Sequence, residues 1–135
     1  PETLCLAVLT QADPSSVGFS GVGGLIEEVT SADDDAFLIR FESPTDSNRI
    51  IRGPTAPGHY DDLGLLEAKK IEIGEEVKVD GPVLLAFDGE RKRRLVEGAQ
   101  AIIQVKRDGP WLIDVAKVMK WATRNGTYLS AKNTN

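Results

Sequence analysis

Phe87-Asp88-Gly89-Glu90-Arg91-Lys92-Arg93-Arg94 sets an aspartate-glycine pair between the apolar run Val83 to Phe87 and a basic one. Both positions of such a pair tolerate positive φ, so it reads as the turn of a β-hairpin. A second turn follows at Gly98, then the run Ala101 to Lys106, and a third turn at Arg107-Asp108-Gly109-Pro110. The C-terminal half is thus ordered as strand, turn, strand, turn and strand before a closing helix.

Working outward, the same turn chemistry divides the rest of the chain into short strands: Leu4 to Leu9, Leu25 to Val29, Ala36 to Phe41, Arg49 to Arg52, Lys70 to Ile73, Glu75 to Val79, Val83 to Phe87, Arg93 to Val96, Ala101 to Lys106 and Trp111 to Ile113. Glu75 to Val79 alternates polar and apolar residues, as a strand with one wet face does, whereas Val83 to Phe87 is apolar throughout and is expected at the centre of a sheet. Pro54, Pro57 and Gly58 mark 53–60 as a loop, and Asp33-Asp34-Asp35 ends another. The expected fold class is mostly β, an antiparallel β-sandwich with one C-terminal α-helix, in a single β-rich domain spanning 1–135. The helix starts at Asp114, whose carboxylate can cap free amides, carries Val115, Val118, Met119 and Ala122 on one face, and stops at Gly126. Lys120 and Arg124 suit the negative end of its dipole.

Composition limits the function classes. A net charge of −5 argues against a general nucleic-acid binder, which needs clustered Lys and Arg. No apolar run approaches the roughly 20 residues of a membrane helix, and the start lacks signal-peptide character, so the cytoplasm is the expected location. The one cysteine, Cys5, sits among Leu4, Leu6, Ala7 and Val8 and is expected to be a buried small hydrophobe. The chain opens on Pro1, with strand character already in 3–10, and is expected to be a piece of a larger protein.

Two segments are candidates for chemistry. Pro14 to Leu25 concentrates Ser and Gly, so its backbone could approach a ribose or phosphate closely; the alternative is tight turns around a sheet corner, since neither a P-loop lysine nor a full dinucleotide fingerprint is present. Asp88-Gly89 is either a plain hairpin turn or a place where Asp88 accepts from ribose hydroxyls while basic neighbours neutralise phosphate. The run Arg91 to Arg94 points charge to both faces of its strand, which suits a solvated edge as well as a phosphate clamp. His59 has no second His or Cys at ligand spacing, the acidic cluster lacks the pattern of a calcium loop, and no serine-histidine-acid arrangement is legible, so no catalytic or metal-binding residue is assigned.

The order of Val83 to Phe87, Asp88-Gly89-Glu90-Arg91, Gly98 and Arg107-Asp108-Gly109-Pro110 leading into Ile113-Asp114-Val115 resembles the C-terminal domain of the ATP-NAD kinase family, closest to its acetoin-catabolism, AcoX-like branch. Upstream, the small-residue loop ending in Gly23-Gly24 stands where family members carry a comparable loop. The resemblance implies an N-terminal α/β kinase domain with a Gly-Gly-Asp-Gly-Thr motif, ATP and magnesium in the intact parent, NAD or a related small molecule as acceptor, and homo-oligomerisation. It implies transfer of the ATP γ-phosphoryl group to the adenosine ribose 2′-hydroxyl of NAD, giving NADP. Gly-Gly-Asp-Gly-Thr and the family's Asn-Glu pair are absent here, so this chain alone is expected to transfer nothing. The family's Thr-Pro-Thr-Gly-Ser-Thr-Ala-Tyr stretch is replaced by Asp13-Pro14-Ser15-Ser16-Val17-Gly18-Phe19. Carried over residue by residue, the expected ligand contacts are Ser20, Gly23 and Gly24 in the loop, with Asp88, Gly89 and Arg91 at the hairpin. The alternatives are a non-catalytic metabolite-binding or oligomerisation β module, and the C-terminal domain of a lipid-kinase relative.

Overall fold

The computed structural model describes residues 4–130; Thr3, expected to open the first strand, lies outside them. The fold is mostly β and antiparallel, with a C-terminal helix, as expected. Its centre is β2 (Asp35–Glu42), flanked in the four-stranded order β1-β2-β4-β3 by β1 (Leu6–Leu9) and β4 (His59–Glu72), with β3 (Ile50–Ala56) at the edge. Alternation along β2 sends Phe37, Ile39 and Phe41 to one face and Ala36 and Leu38 to the other, and all five are buried. Above the first face lie Val22, Ala12 and Val29, carried by a short helix α1 (Phe19–Gly24) and its flanking segments. Against the second lie Val77 and Ile103, from the two-stranded pair of β5 (Val77–Asp80) and β8 (Gln100–Ile103). Both faces of β2 are therefore covered, which makes the arrangement sandwich-like.

The central strand is thus β2, and the expectation that Val83 to Phe87 is covered on both sides is corrected. That run forms β6 (Val83–Phe87), paired only with β7 (Arg91–Leu95) in a separate two-stranded ribbon entered by a cis Gly81–Pro82 bond. Val83 to Leu85 are half-buried and Phe87 is exposed. Its partner strand begins Arg-Lys-Arg-Arg, and four consecutive cations cannot enter a core without partners.

β4 is the second correction, since the strand expected at Lys70 to Ile73 covers only its last three residues. It runs for 14 residues, pairing β3 along its first half and β2 along its second. Arg40 opposes Glu67 while Phe41 opposes Leu65, so Leu66 is an extra, bulged residue and is 62% exposed. The expected loop at 53–60 shrinks to the Pro57-Gly58 turn between paired Ala56 and His59. Pro54 is accommodated because β3 is an edge strand, where a missing N–H need not break a ladder.

Three further expectations fail locally. Leu25 to Val29 is not a strand: Leu25 caps α1, and only Val29 bridges, to Ala12, with N–H to O=C contacts of 2.9 Å both ways. Trp111 to Ile113 carries no strand, because no neighbour offers it a ladder, and Trp111 is completely exposed. Cys5 is exposed, since β1 begins at Leu6 and Cys5 precedes the buried alternation, although its carbonyl still accepts from Phe41 N at 2.9 Å.

The closing helix α2 (Val115–Arg124) forms as expected. Asp114 caps it by accepting from Lys117 N at 2.9 Å. Gly126, at φ 65, ends it with the two crossed bonds of a Schellman motif, Thr127 N–H to Ala122 O at 3.0 Å and Gly126 N–H to Thr123 O at 3.1 Å. Of its expected apolar face Ala122 is buried, whereas Val115, Val118 and Met119 are exposed, as is Trp121.

Candidate functional site

The small-residue segment is built around packing. Asp13 opens it with an Asx turn, its carboxylate accepting from Ser15 N at 2.8 Å and Ser15 Oγ at 2.7 Å, and these bonds hold its pKa below the ordinary value. Gly18 N–H then donates to Pro54 O at 2.7 Å, tying the segment to edge strand β3, and α1 follows. Ser20 Oγ donates to Gln11 O at 3.1 Å, so its hydroxyl already fastens α1 to the preceding loop. Gly23 is buried, and a Cβ there would stand 2.5 Å from Leu9 Cδ1 and 3.2 Å from Ala12 Cβ. A Cβ on Gly24 would collide with the backbone of Asp13 and Pro14. The paired glycines therefore let a helix lie directly on a loop, a structural demand that stands whatever ligand approaches.

The other half is the β6–β7 hairpin. Asp88 has φ 53 and Gly89 φ 75, positive at both central positions of the turn, and Phe87 O accepts from Glu90 N at 3.2 Å. Asp88 is the one residue besides glycine with positive φ among the described residues, and aspartate is among the few side chains that tolerate it. The turn carries Arg91 back so that its Nη2 meets Asp88 Oδ2 at 2.5 Å, with both side chains more than three-quarters exposed. A concavity of about 480 Å³ opens beside it, lined by Phe87, Arg91, Lys92 and Arg93.

Ser20, Gly23 and Gly24 thus share one element, and Asp88, Gly89 and Arg91 another. The main contacts of α1 are with β3 and β1, and those of the hairpin are between its own strands, so the two groups form separate surfaces in this chain.

One polar cluster escaped the sequence reading. Asp61 on β4 accepts from Thr55 Oγ1 at 2.5 Å through one carboxylate oxygen and faces His59 Nε2 at 3.1 Å through the other. The Thr55 bond, followed by the charge of His59, holds the Asp61 pKa below the ordinary value. His59 is thereby oriented rather than isolated. The signal was present in Thr55-Ala56-Pro57-Gly58-His59-Tyr60-Asp61, where a turn at Pro57-Gly58 folds Thr55 back toward Asp61. Among the described residues no three His, Cys, Asp or Glu side chains are grouped to hold a metal ion, and no helix is long and apolar enough to cross a membrane.

An antiparallel, mostly β domain with a glycine-packed helix on one sheet face and a basic hairpin standing apart defines the structural class. The family model of the acetoin catabolism protein X C-terminal domain matches residues 1–108, and the chain belongs to that family. It is also 26% identical over 125 residues to acetoin catabolism protein X of Cupriavidus necator, covering 92% of this chain and 35% of that protein. The chain therefore spans about a third of the length of this curated relative. No solved structure matches it. The family match ends before α2.

Proposed function

We propose that this domain forms the acceptor side of an NAD kinase-like phosphotransferase, in which the intact protein moves the ATP γ-phosphoryl group to the 2′-hydroxyl of the adenosine ribose of NAD. The observation that carries the reading is the turn at Asp88-Gly89: an aspartate held at positive φ, with its carboxylate in solvent and a guanidinium beside it. A carboxylate so placed can accept from ribose hydroxyls, and the adjoining cations can offset phosphate charge. Ser20, Gly23 and Gly24 are the second proposed contact surface, where the small side chains bring backbone close to a ligand. Membership of the acetoin catabolism protein X C-terminal domain family supports this placement within a longer protein.

Among the described residues no three acids are grouped to hold a metal ion, and in this reading ATP and magnesium belong to the remainder of the intact protein. The contribution of this chain is to bind and orient the acceptor. The test is the intact protein with labelled ATP and, in turn, NAD, NADH, diacylglycerol and sugars. Label passing to NAD, with a raised KM for NAD in Asp88→Ala, supports the reading; label passing to another acceptor, or unchanged kinetics in that variant, refutes it.

The exposed Val115, Val118 and Met119 of α2 favour a second reading, a non-catalytic β module that organises an assembly. Sedimentation and phosphoryl-transfer assays of the intact protein with and without α2 separate the two: dissociation on removal of α2, in a protein that transfers no phosphoryl group, supports the second.

A further inference from the structure

In this acidic chain the cations of the main sheet are all matched. Arg40 pairs with Glu67 at 3.0 Å, Lys69 with Glu67 at 3.0 Å, Lys70 with Glu27 at 3.2 Å and Arg52 with Asp62 at 4.0 Å. These are every Lys and Arg of β2, β3 and β4. β7 breaks the pattern. Arg91 is taken up by Asp88, but among the described residues Lys92, Arg93 and Arg94 have neither an ion pair nor a side-chain hydrogen bond. Their cross-strand neighbours are Ala86, Leu85 and Leu84, none of which can answer a positive charge. Alternation sends Arg93 to one face of the ribbon and Lys92 and Arg94 to the other, so an anion at Arg93 meets a cation that no acidic side chain among the described residues has taken up.

Alternation puts Leu85, Phe87, Arg91 and Arg93 on one face of the ribbon, with Phe87 opposite Arg91 and diagonal to Arg93. Phe87 is 42% exposed at the strand end, and it lines the same concavity as Arg93 and Lys92. An exposed ring beside unmatched cations suits a ligand that joins an aromatic base to phosphate. We propose that this face of the β6–β7 hairpin binds a nucleotide, the base lying on Phe87 and the phosphates on Arg93. The inference rests on the acceptor reading above and extends it to side chains beyond the turn. Arg91, held by Asp88, positions the ribose edge between them.

The experiment is an NMR titration of the 135-residue chain with NAD, ADP and inorganic pyrophosphate at low and at 200 mM salt, on the wild type and on Phe87→Ala, Arg93→Gln and Arg94→Gln. All three side chains are exposed, and melting curves verify folding. The expected result is shifts centred on 87–93, affinity for ADP lowered about tenfold by Arg93→Gln and severalfold by Phe87→Ala, and marked weakening with salt. Phe87→Ala should leave pyrophosphate affinity within twofold, and Arg94→Gln, on the opposite face, should leave all three ligands within twofold. If NAD binds with shifts at Ser20, Gly23, Gly24 and Asp88 but is indifferent to Arg93→Gln and Phe87→Ala, the site on Phe87 and Arg93 is wrong and the acceptor reading stands. If neither NAD nor ADP shifts any residue at millimolar concentration, both fail for this chain. Equal loss from Arg93→Gln and Arg94→Gln, with no effect of Phe87→Ala, overturns the nucleotide site in favour of diffuse anion attraction.

Discussion

Gly24 rests on Pro14 with no room for a side chain between them, because α1 lies directly across the loop backbone. Replacement by Ala forces that backbone apart and is expected to destabilise the domain by about 1–3 kcal/mol, in the range of overpacking substitutions. Gly23→Ala meets instead the movable end of Leu9 and should cost less. Urea unfolding of the two variants measures the difference; equal stability to wild type in Gly24→Ala contradicts this packing.

At the hairpin, Gly89→Ala places a Cβ at φ 75 and is expected to weaken the ribbon by about 1–2 kcal/mol. Asp88→Asn should be nearly neutral for the turn, because Asn also tolerates positive φ and an exposed ion pair adds little. Hydrogen exchange of the β6–β7 amides reads both effects locally.

Acid should act through Asp61, whose pKa lies below its ordinary value, chiefly because of Thr55. A depressed carboxylate contributes stability that is present above the unfolded-state pKa, near 3.8, and is lost as pH falls through the lower folded value. The stability difference between wild type and Asp61→Asn should therefore be flat above about pH 5 and shrink below pH 4. A difference that grows on acidification contradicts the sign.

The helix α2 is expected to be the least protected regular element. It has ten residues, Ala122 is its one buried residue, and isolated helices of that length are marginal in water. Its amides should exchange at nearly the rate of free peptide, and trypsin should cut first at Lys117, Lys120 or Arg124. Protection comparable to that of β2 would show that its exposed apolar side chains are covered in solution.

Within the sheet, Ile39→Ala should cost about 2–5 kcal/mol, since Ile39 is completely buried. Leu66→Ala, at the bulge, should stay within about 0.5 kcal/mol. Parallel urea titrations compare the two sites.

The legible parts of the fold were those fixed by local chemistry. Asp88-Gly89 requires positive φ, Asp114 caps, Gly126 terminates, and Ala36 to Phe41 reads as a strand; each was read from neighbours in the chain and found in place. What failed depended on what lies alongside. Val83 to Phe87 has the composition of a central strand, but burial is decided by covering layers, and its own partner is basic. Asp61, Asp62 and Gly64 hid most of β4 because the pattern along one strand cannot reveal that it serves two neighbours. Gly23-Gly24 was read as a surface of approach for a ligand, and the structure adds a packing reason visible only once α1 meets Pro14. Thr55, His59 and Asp61 stayed apart in the reading because Pro54 suggested a loop where an edge strand forms.

The double service of β4 also orders assembly. Its pairing with β3 closes across Pro57-Gly58 and joins near neighbours, so it costs little chain entropy. Its pairing with β2 matches Ala36 to Ile71 and Arg40 to Glu67, which must wait for a long stretch to come together. The β3–β4 hairpin is then a template already in register for β2, and a nascent chain halted before residue 59 would carry a β2 edge with nothing yet laid against it.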